Sequence, residues 1–304
     1  MRLSEARIKK WLGENTASLR GKCVAVSGST GGLGGALCAY LGELGASLIL
    51  LDRNSDRSRR HRQALLERFG EGLSVTCVPL DLENLSSVEA AAERLITLDV
   101  DVLFHNAGAY SIPRHKCESG YDNVFQINFA SPYYLIRRLM PHLREKGGRV
   151  VAVGSIAHRY SKTDPRDVDF SQRKAASRVY GNAKRYLMIS LYSLFEGEER
   201  AHLAVVHPGI TFTNITAHYP KVLFALIKHP MRWIFMDTRW AALSLVRGLF
   251  EDTATMEWIG PSFFDVWGIP KKKILRSVSV EEYAEIVQKA ETVYEVCASA
   301  AKTE

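Results

Sequence analysis

A doubly wound parallel α/β sheet is the fold class this sequence predicts, on three observations. Short runs at 23–27, 47–51, 74–78, 100–104, 149–153 and 203–207 are continuously apolar. Unbroken runs of this kind belong to central parallel strands covered on both faces, whereas half-exposed strands alternate. Between them, 34–44, 88–97, 121–143 and 177–196 carry the 3.6-residue period of amphipathic helices. In the last of these, Leu187, Leu191, Leu194 and Phe195 stand at i, i+4, i+7 and i+8, one apolar stripe. The third observation is a glycine cluster, Gly28 to Gly34, set between the first run and the first helical segment.

The remaining elements follow in chain order. Residues 1–20 mix Lys9, Lys10 and Trp11 with Glu5 and Glu14, which reads as a helical extension without the apolar stretch of a signal peptide. The sixth run leads into 210–238, aromatic and apolar with Pro220 and Pro230 as breakers, expected to form a helical flap. A helix over 240–250, a strand over 258–264, a basic loop (Lys271, Lys272, Lys273, Arg276) and a helix from Val280 close the chain. No repeat or low-complexity linker divides it, so 1–304 is expected to be one domain.

Hydrophobic residues at 46% and charged residues at 24% exclude a disordered or fibrous chain. The net charge of +7 is spread along the sequence, so no nucleic-acid partner is expected, while an anionic ligand or membrane surface suits it. The greasy stretch 222–236 is broken by Lys228, His229, Pro230 and Arg232, and a spanning helix needs roughly 20 apolar residues. Five cysteines (Cys23, Cys38, Cys77, Cys117, Cys297) with no C-x-x-C spacing point to neither a disulfide framework nor a metal site. A reducing, cytoplasmic location is expected, at most peripheral to a membrane.

The chemistry lies in two places. Ser27-Gly28-Ser29-Thr30-Gly31-Gly32-Leu33-Gly34 sits where glycines permit a tight turn and a helix N-terminus offers free N–H groups to a pyrophosphate. Tyr180 and Lys184, four apart on a helix, project from one face. A phenol has an unperturbed pKa of ~10, and a neighbouring ammonium is expected to lower it toward the range of a general base.

The spacing Gly-x-x-x-Gly-x-Gly resembles the short-chain dehydrogenase/reductase family, and further motifs appear in that family's order. These are Asp81-Leu82, Asn106-Ala107-Gly108, Asn128, Ser155, Tyr180-x-x-x-Lys184, Pro208-Gly209 and Thr213. Ser27 stands where the family has Thr, and His105 where a second Asn is common. The resemblance implies a Rossmann-type fold and a nicotinamide cofactor. It makes Asn128, Ser155, Tyr180 and Lys184 the catalytic set: Tyr180 the proton carrier, Ser155 the partner of the substrate oxygen, Asn128 the holder of a relay water. It assigns Gly28, Thr30, Gly31, Gly32, Leu33, Gly34, Asp52, Arg53, Asp81, Leu82, Asn106, Ala107, Gly108, Pro208, Gly209, Ile210 and Thr213 to the cofactor, with Tyr180 and Lys184 reaching its ribose.

The apolar flap and Ala157-His158-Arg159 after the serine look like the retinol- and steroid-type branch, which implies a lipophilic alcohol or carbonyl as substrate. Two alternatives stand beside it: an NADPH-dependent carbonyl reductase, and a silent dinucleotide-sensing regulator. The second run ends Leu51-Asp52-Arg53. Asp52 in that position accepts from a ribose 2′-hydroxyl and favours NAD, with Arg53 stacked on the adenine; Arg53 bound to a 2′-phosphate would favour NADP instead. A homodimer or homotetramer fits the resemblance, as does peripheral contact of the flap with a membrane.

Overall fold

The computed structural model describes residues 4–70, 72–160, 162–211, 236–275 and 278–302. Eight strands form one sheet: β1 (Cys23–Ser27), β2 (Ser47–Asp52), β3 (Val75–Pro79), β4 (Val102–His105), β5 (Arg149–Val153), β6 (His202–Val206), β7 (Glu257–Phe263) and β8 (Trp267–Ile274). Their order is β3-β2-β1-β4-β5-β6-β7-β8, parallel from β3 through β7, with β8 antiparallel at the edge. The chain winds outward from β1 in one direction and from β4 in the other. The crevice between those two strands is the switch point where such sheets bind ligands.

The expected doubly wound sheet is present, and the six apolar runs match β1 to β6 within one or two residues at either end. Both faces are covered. Helices α1 (Glu5–Asn15), α2 (Gly32–Glu43) and α3 (Ser55–Phe69) pack with one core cluster, and α4 (Leu85–Thr97) with the other. The N-termini of α3 and α4 are capped by Asn54 and Asn84, whose side chains accept from the N–H groups of Arg57 and Ser87.

Two expectations need correction. The segment 121–143 is not one regular helix but α5 (Asn123–Phe125), a π-helical turn (Gln126–Ala130) and α6 (Ser131–Lys146). The wider turn sits at Asn128, and π-turns of this kind occur often at functional sites. Lys271, Lys272 and Lys273, expected in a loop, lie in β8 opposite Gly260, Ile259 and Trp258. Lysines along a sheet edge blunt its unpaired backbone, so a basic run there is compatible with strand. Helix α7 (Ala176–Leu194) carries the tyrosine and lysine, and α8 (Thr238–Phe250) and α9 (Val280–Ala300) complete the layers. Thr213, Arg276 and most of the expected flap at 210–238 lie outside the described residues. No helix among the described residues is long and apolar enough to cross a membrane.

Candidate active site

The crevice between β1 and β4 opens into a cleft of about 800 Å³ at the C-terminal ends of the strands. Its floor is stapled by the Ser27 hydroxyl, which accepts from the N–H groups of Asn106 and Ala107, each at 3.0 Å. In return the Asn106 amide donates to the carbonyls of Ser27 (3.0 Å) and Gly28 (3.2 Å). His105, in place of the common Asn, is wholly buried with Nδ1 3.3 Å from the Ser27 hydroxyl. Burial pushes its pKa down to about 3, with the Lys184 charge acting the same way, so the ring is a neutral strut.

Glycine is required at two points of the turn. Gly28 has φ +68°, and a Cβ on Gly34 would stand 2.2 Å from the Gly28 carbonyl oxygen. The turn therefore folds flat against the start of α2, whose first N–H groups carry no side-chain cap. Gly28, Thr30, Gly31, Gly32, Leu33 and Gly34 all line the cleft, a backbone cradle suited to a pyrophosphate. Asp81, Leu82, Asn106, Ala107, Gly108, Pro208, Gly209 and Ile210 line it further along, so the residues present fit an extended dinucleotide.

Asp52 lines the cleft too, but its side chain faces the turn. One carboxylate oxygen accepts from the hydroxyls of Ser29 (2.5 Å) and Ser58 (3.0 Å), the other from the N–H and hydroxyl of Thr30 (3.1 Å each). The residue is 5% exposed. Asp52 thus braces the glycine turn. Arg53, by contrast, points outward, with its side chain 69% exposed and an ion pair to Glu83 at 3.3 Å; Asn54 and Arg57 line the cleft beside it.

At the other end, α7 brings Tyr180 and Lys184 to the floor, as their spacing requires. Tyr180 stands beside Ser155 and is packed edge-on against Tyr110, with ring centroids 5.3 Å apart. The Lys184 ammonium lies 5.8 Å from the Tyr180 ring centroid and donates to the Val153 carbonyl at 2.9 Å. Asn128 is fully buried; its amide donates to the carbonyls of Ala109 and Val124 (2.8 Å each) and accepts from the Ala109 N–H at 3.2 Å. A Cβ on Gly108 would meet its Oδ1 at 2.7 Å and the Lys184 Nζ at 3.7 Å, so only glycine lets the strand end lie over both.

The electrostatics depart from expectation. Burial pushes the Tyr180 phenol up to about 12; the Ser155 hydroxyl opposes this and Tyr110 adds to it. Burial also brings Lys184 down to about 7. Desolvation outweighs the attraction that the four-residue spacing suggests. Tyr110, Ile112 and Tyr160 complete the wall near Tyr180. No side-chain chemistry singled them out in the sequence; their only signal was proximity to Asn106-Ala107-Gly108 and to Ser155.

The profile of short-chain dehydrogenases matches residues 22–220. The chain belongs to the short-chain dehydrogenase family. It is 30% identical to retinol dehydrogenase 14 of Mus musculus over 241 residues, which cover 74% of this chain and 72% of that protein. It is also 28% identical over 208 residues to the chloroplastic short-chain dehydrogenase TIC 32 A of Brassica napus, spanning 64% of this chain and 65% of that protein. Among solved structures, the RhlG/NADP active-site complex of Pseudomonas aeruginosa superposes with a TM-score of 0.59 at 24% identity, covering 77% of this chain and 93% of that one. The chain is accordingly an NAD(P)-dependent oxidoreductase of alcohols and carbonyls, with a Rossmann-type sheet.

Proposed function

We propose that this short-chain dehydrogenase interconverts a lipophilic alcohol and its carbonyl with NADP(H), Tyr180 carrying the proton. The observation that carries the reading is Tyr180 standing beside Ser155 and Lys184, buried at the end of a cleft shaped for a dinucleotide. The bound dinucleotide supplies the hydride donor or acceptor. The Ser155 hydroxyl holds the substrate oxygen and stabilises the negative charge that develops there. Tyr180 gives its phenolic proton to that oxygen in reduction and takes it back in oxidation. Lys184 and the buried Asn128 are placed to replace that proton through a water. An intact proton-transfer set favours this reading over a silent dinucleotide sensor, and turnover of any alcohol or carbonyl by the pure protein separates the two.

The choice of NADP departs from the sequence expectation of NAD, because the ground for NAD was Asp52. With its four hydrogen bonds already made within the turn and α3, Asp52 has no lone pair directed to a ribose hydroxyl. Arg53 and Arg57 stand at the same rim with guanidinium groups suited to a 2′-phosphate. A charge-assisted hydrogen bond contributes about 1.5–3 kcal/mol, so Arg53→Ala is expected to reduce the NADP-over-NAD ratio of kcat/KM by about ten- to hundredfold. Wild-type preference for NAD, or an unchanged ratio in the variant, removes Arg53 from the cofactor site.

A lipophilic substrate fits Tyr110, Ile112, Ile156 and Tyr160, which line the Tyr180 end of the cleft. Each methylene buried is worth ~0.8 kcal/mol, so kcat/KM is expected to climb about fourfold per methylene along a series of primary alcohols until the pocket fills. A flat series excludes an apolar pocket. Beside that end Phe263, Phe264 and Trp267 pack on one another at 4.6 and 4.4 Å while staying exposed, Phe264 to 80%. Their turn is tied to the cleft by the Ile210 N–H, which donates to Val266 at 3.2 Å. Exposed aromatics at the mouth of such a site suit contact with a lipid surface. Wild-type protein is expected to sediment with phosphatidylglycerol-containing vesicles more than Phe264→Ser does. Equal sedimentation of the two places the contact elsewhere.

A further inference from the structure

We infer that Glu83, His115 and Cys117 form a binding site for a zinc-type divalent cation at the rim of the cofactor cleft. One ligand atom from each (a Glu83 carboxylate oxygen, a His115 ring nitrogen and the Cys117 sulfur) lies within 4.8 Å of the other two. His115 Nε2 and Glu83 Oε2 are already 3.0 Å apart. Zinc bonds of about 2.0–2.3 Å in a tetrahedron put neighbouring ligand atoms about 3.3–3.8 Å apart, so the trio has to close by only about 1 Å.

The positions are held by backbone. His115 and Cys117 sit on a short hairpin closed by hydrogen bonds from the Asn123 N–H to His115 (3.0 Å) and from the Cys117 N–H to Tyr121 (2.8 Å). The His115 ring is oriented by the Asn123 amide, 3.1 Å from Nδ1. Glu83 follows β3, its N–H donating to Asp81 at 3.0 Å and its carbonyl accepting from Gln126 at 2.7 Å. Glu83, Asp122, Asp81 and Glu118 lie near enough to act on the Cys117 sulfur, with Arg53 paired to Glu83 and Arg114 to Asp122. A set of thiolate, imidazole and carboxylate matches a borderline-soft ion and leaves the fourth position to water. Sequence spacing does not show this site: Glu83 is supplied from a separate loop, and His-x-Cys alone is not a metal motif.

None of the three side chains lines the dinucleotide cleft. The site stands apart from the proton-transfer residues, and it can be tested without turnover. The full-length, tag-free, reduced chain, stripped with a chelator, is titrated with Zn²⁺ in competition with a zinc indicator dye. One site of micromolar or tighter affinity is expected, weakened at least tenfold by Cys117→Ser and by His115→Ala and unchanged by Cys77→Ser. Co²⁺ in place of zinc should give the strong visible absorption of a tetrahedral thiolate centre, lost in Cys117→Ser. Far-UV circular dichroism confirms that each variant is folded. The inference is overturned if the wild type binds no zinc at micromolar concentration, if the two ligand variants bind as well as the wild type, or if cobalt shows no thiolate band.

Discussion

Tyr180→Phe is expected to lower turnover by ~10²–10⁴ while leaving dinucleotide affinity nearly unchanged. The ring is 9% exposed and packs edge-on against Tyr110, contacts that phenylalanine keeps. What disappears is the hydroxyl beside Ser155, the group assigned to carry the proton. The pH dependence supplies a second and independent readout. Burial raises the phenol to about 12, so at neutral pH it holds its proton and is ready to donate in carbonyl reduction. Oxidation needs the phenolate, whose fraction grows about tenfold per pH unit below that value. Wild-type kcat/KM for oxidation should therefore rise steadily from neutral into alkaline solution, and reduction should not. The residual activity of Tyr180→Phe should lack the rise. A variant that kept more than a tenth of wild-type turnover, or the same alkaline rise, would take Tyr180 out of the reaction.

The contrast between what the sequence disclosed and what it withheld follows from where each property resides. Tyr180 and Lys184 were legible because a helix converts a four-residue spacing into one face whatever surrounds it. The glycine turn was legible because Gly28 and Gly34 meet backbone demands that other residues fail. Asp52 was placed correctly at the end of β2, yet its partners Ser29, Thr30 and Ser58 come from a turn and a helix whose approach no local pattern encodes. The same holds for the Tyr180 pKa, since proximity to Lys184 was readable and the burial of both groups was not. The π-turn at Asn128 hides within an ordinary helical period, and β8 hides because lysines at a sheet edge look like a loop. Helix α3 carries arginines on most of its surface, buries only Ser58 and Leu65, and so shows a weak apolar stripe.

Gly181→Ala is expected to lower kcat by about 10²-fold without unfolding the protein. Alanine is the better helix former by about 1 kcal/mol, so on propensity alone the change within α7 should stabilise. Packing reverses the outcome. A Cβ at 181 would stand 2.2 Å from the Ala157 carbonyl oxygen and 3.7 Å from the Tyr160 Cβ, both belonging to the turn that follows Ser155. Because the close neighbour is backbone rather than the end of a flexible side chain, helix and turn must separate by about 1 Å, at a cost of about 1–3 kcal/mol. That separation lies between Tyr180 on one side and Ser155 on the other, and it widens the gap across which the two hydroxyls must meet one substrate oxygen. A misplacement of about 1 Å costs about 10² in rate. Gly13→Ala is the matched control: it too lies within a helix, α1, but an added Cβ there has nothing within 4 Å. It is expected to raise stability by up to about 1 kcal/mol with kcat unchanged. Steady-state kinetics and thermal melts of the two variants decide the point, and a Gly181→Ala enzyme as fast as the wild type would show that the turn yields without moving Ser155.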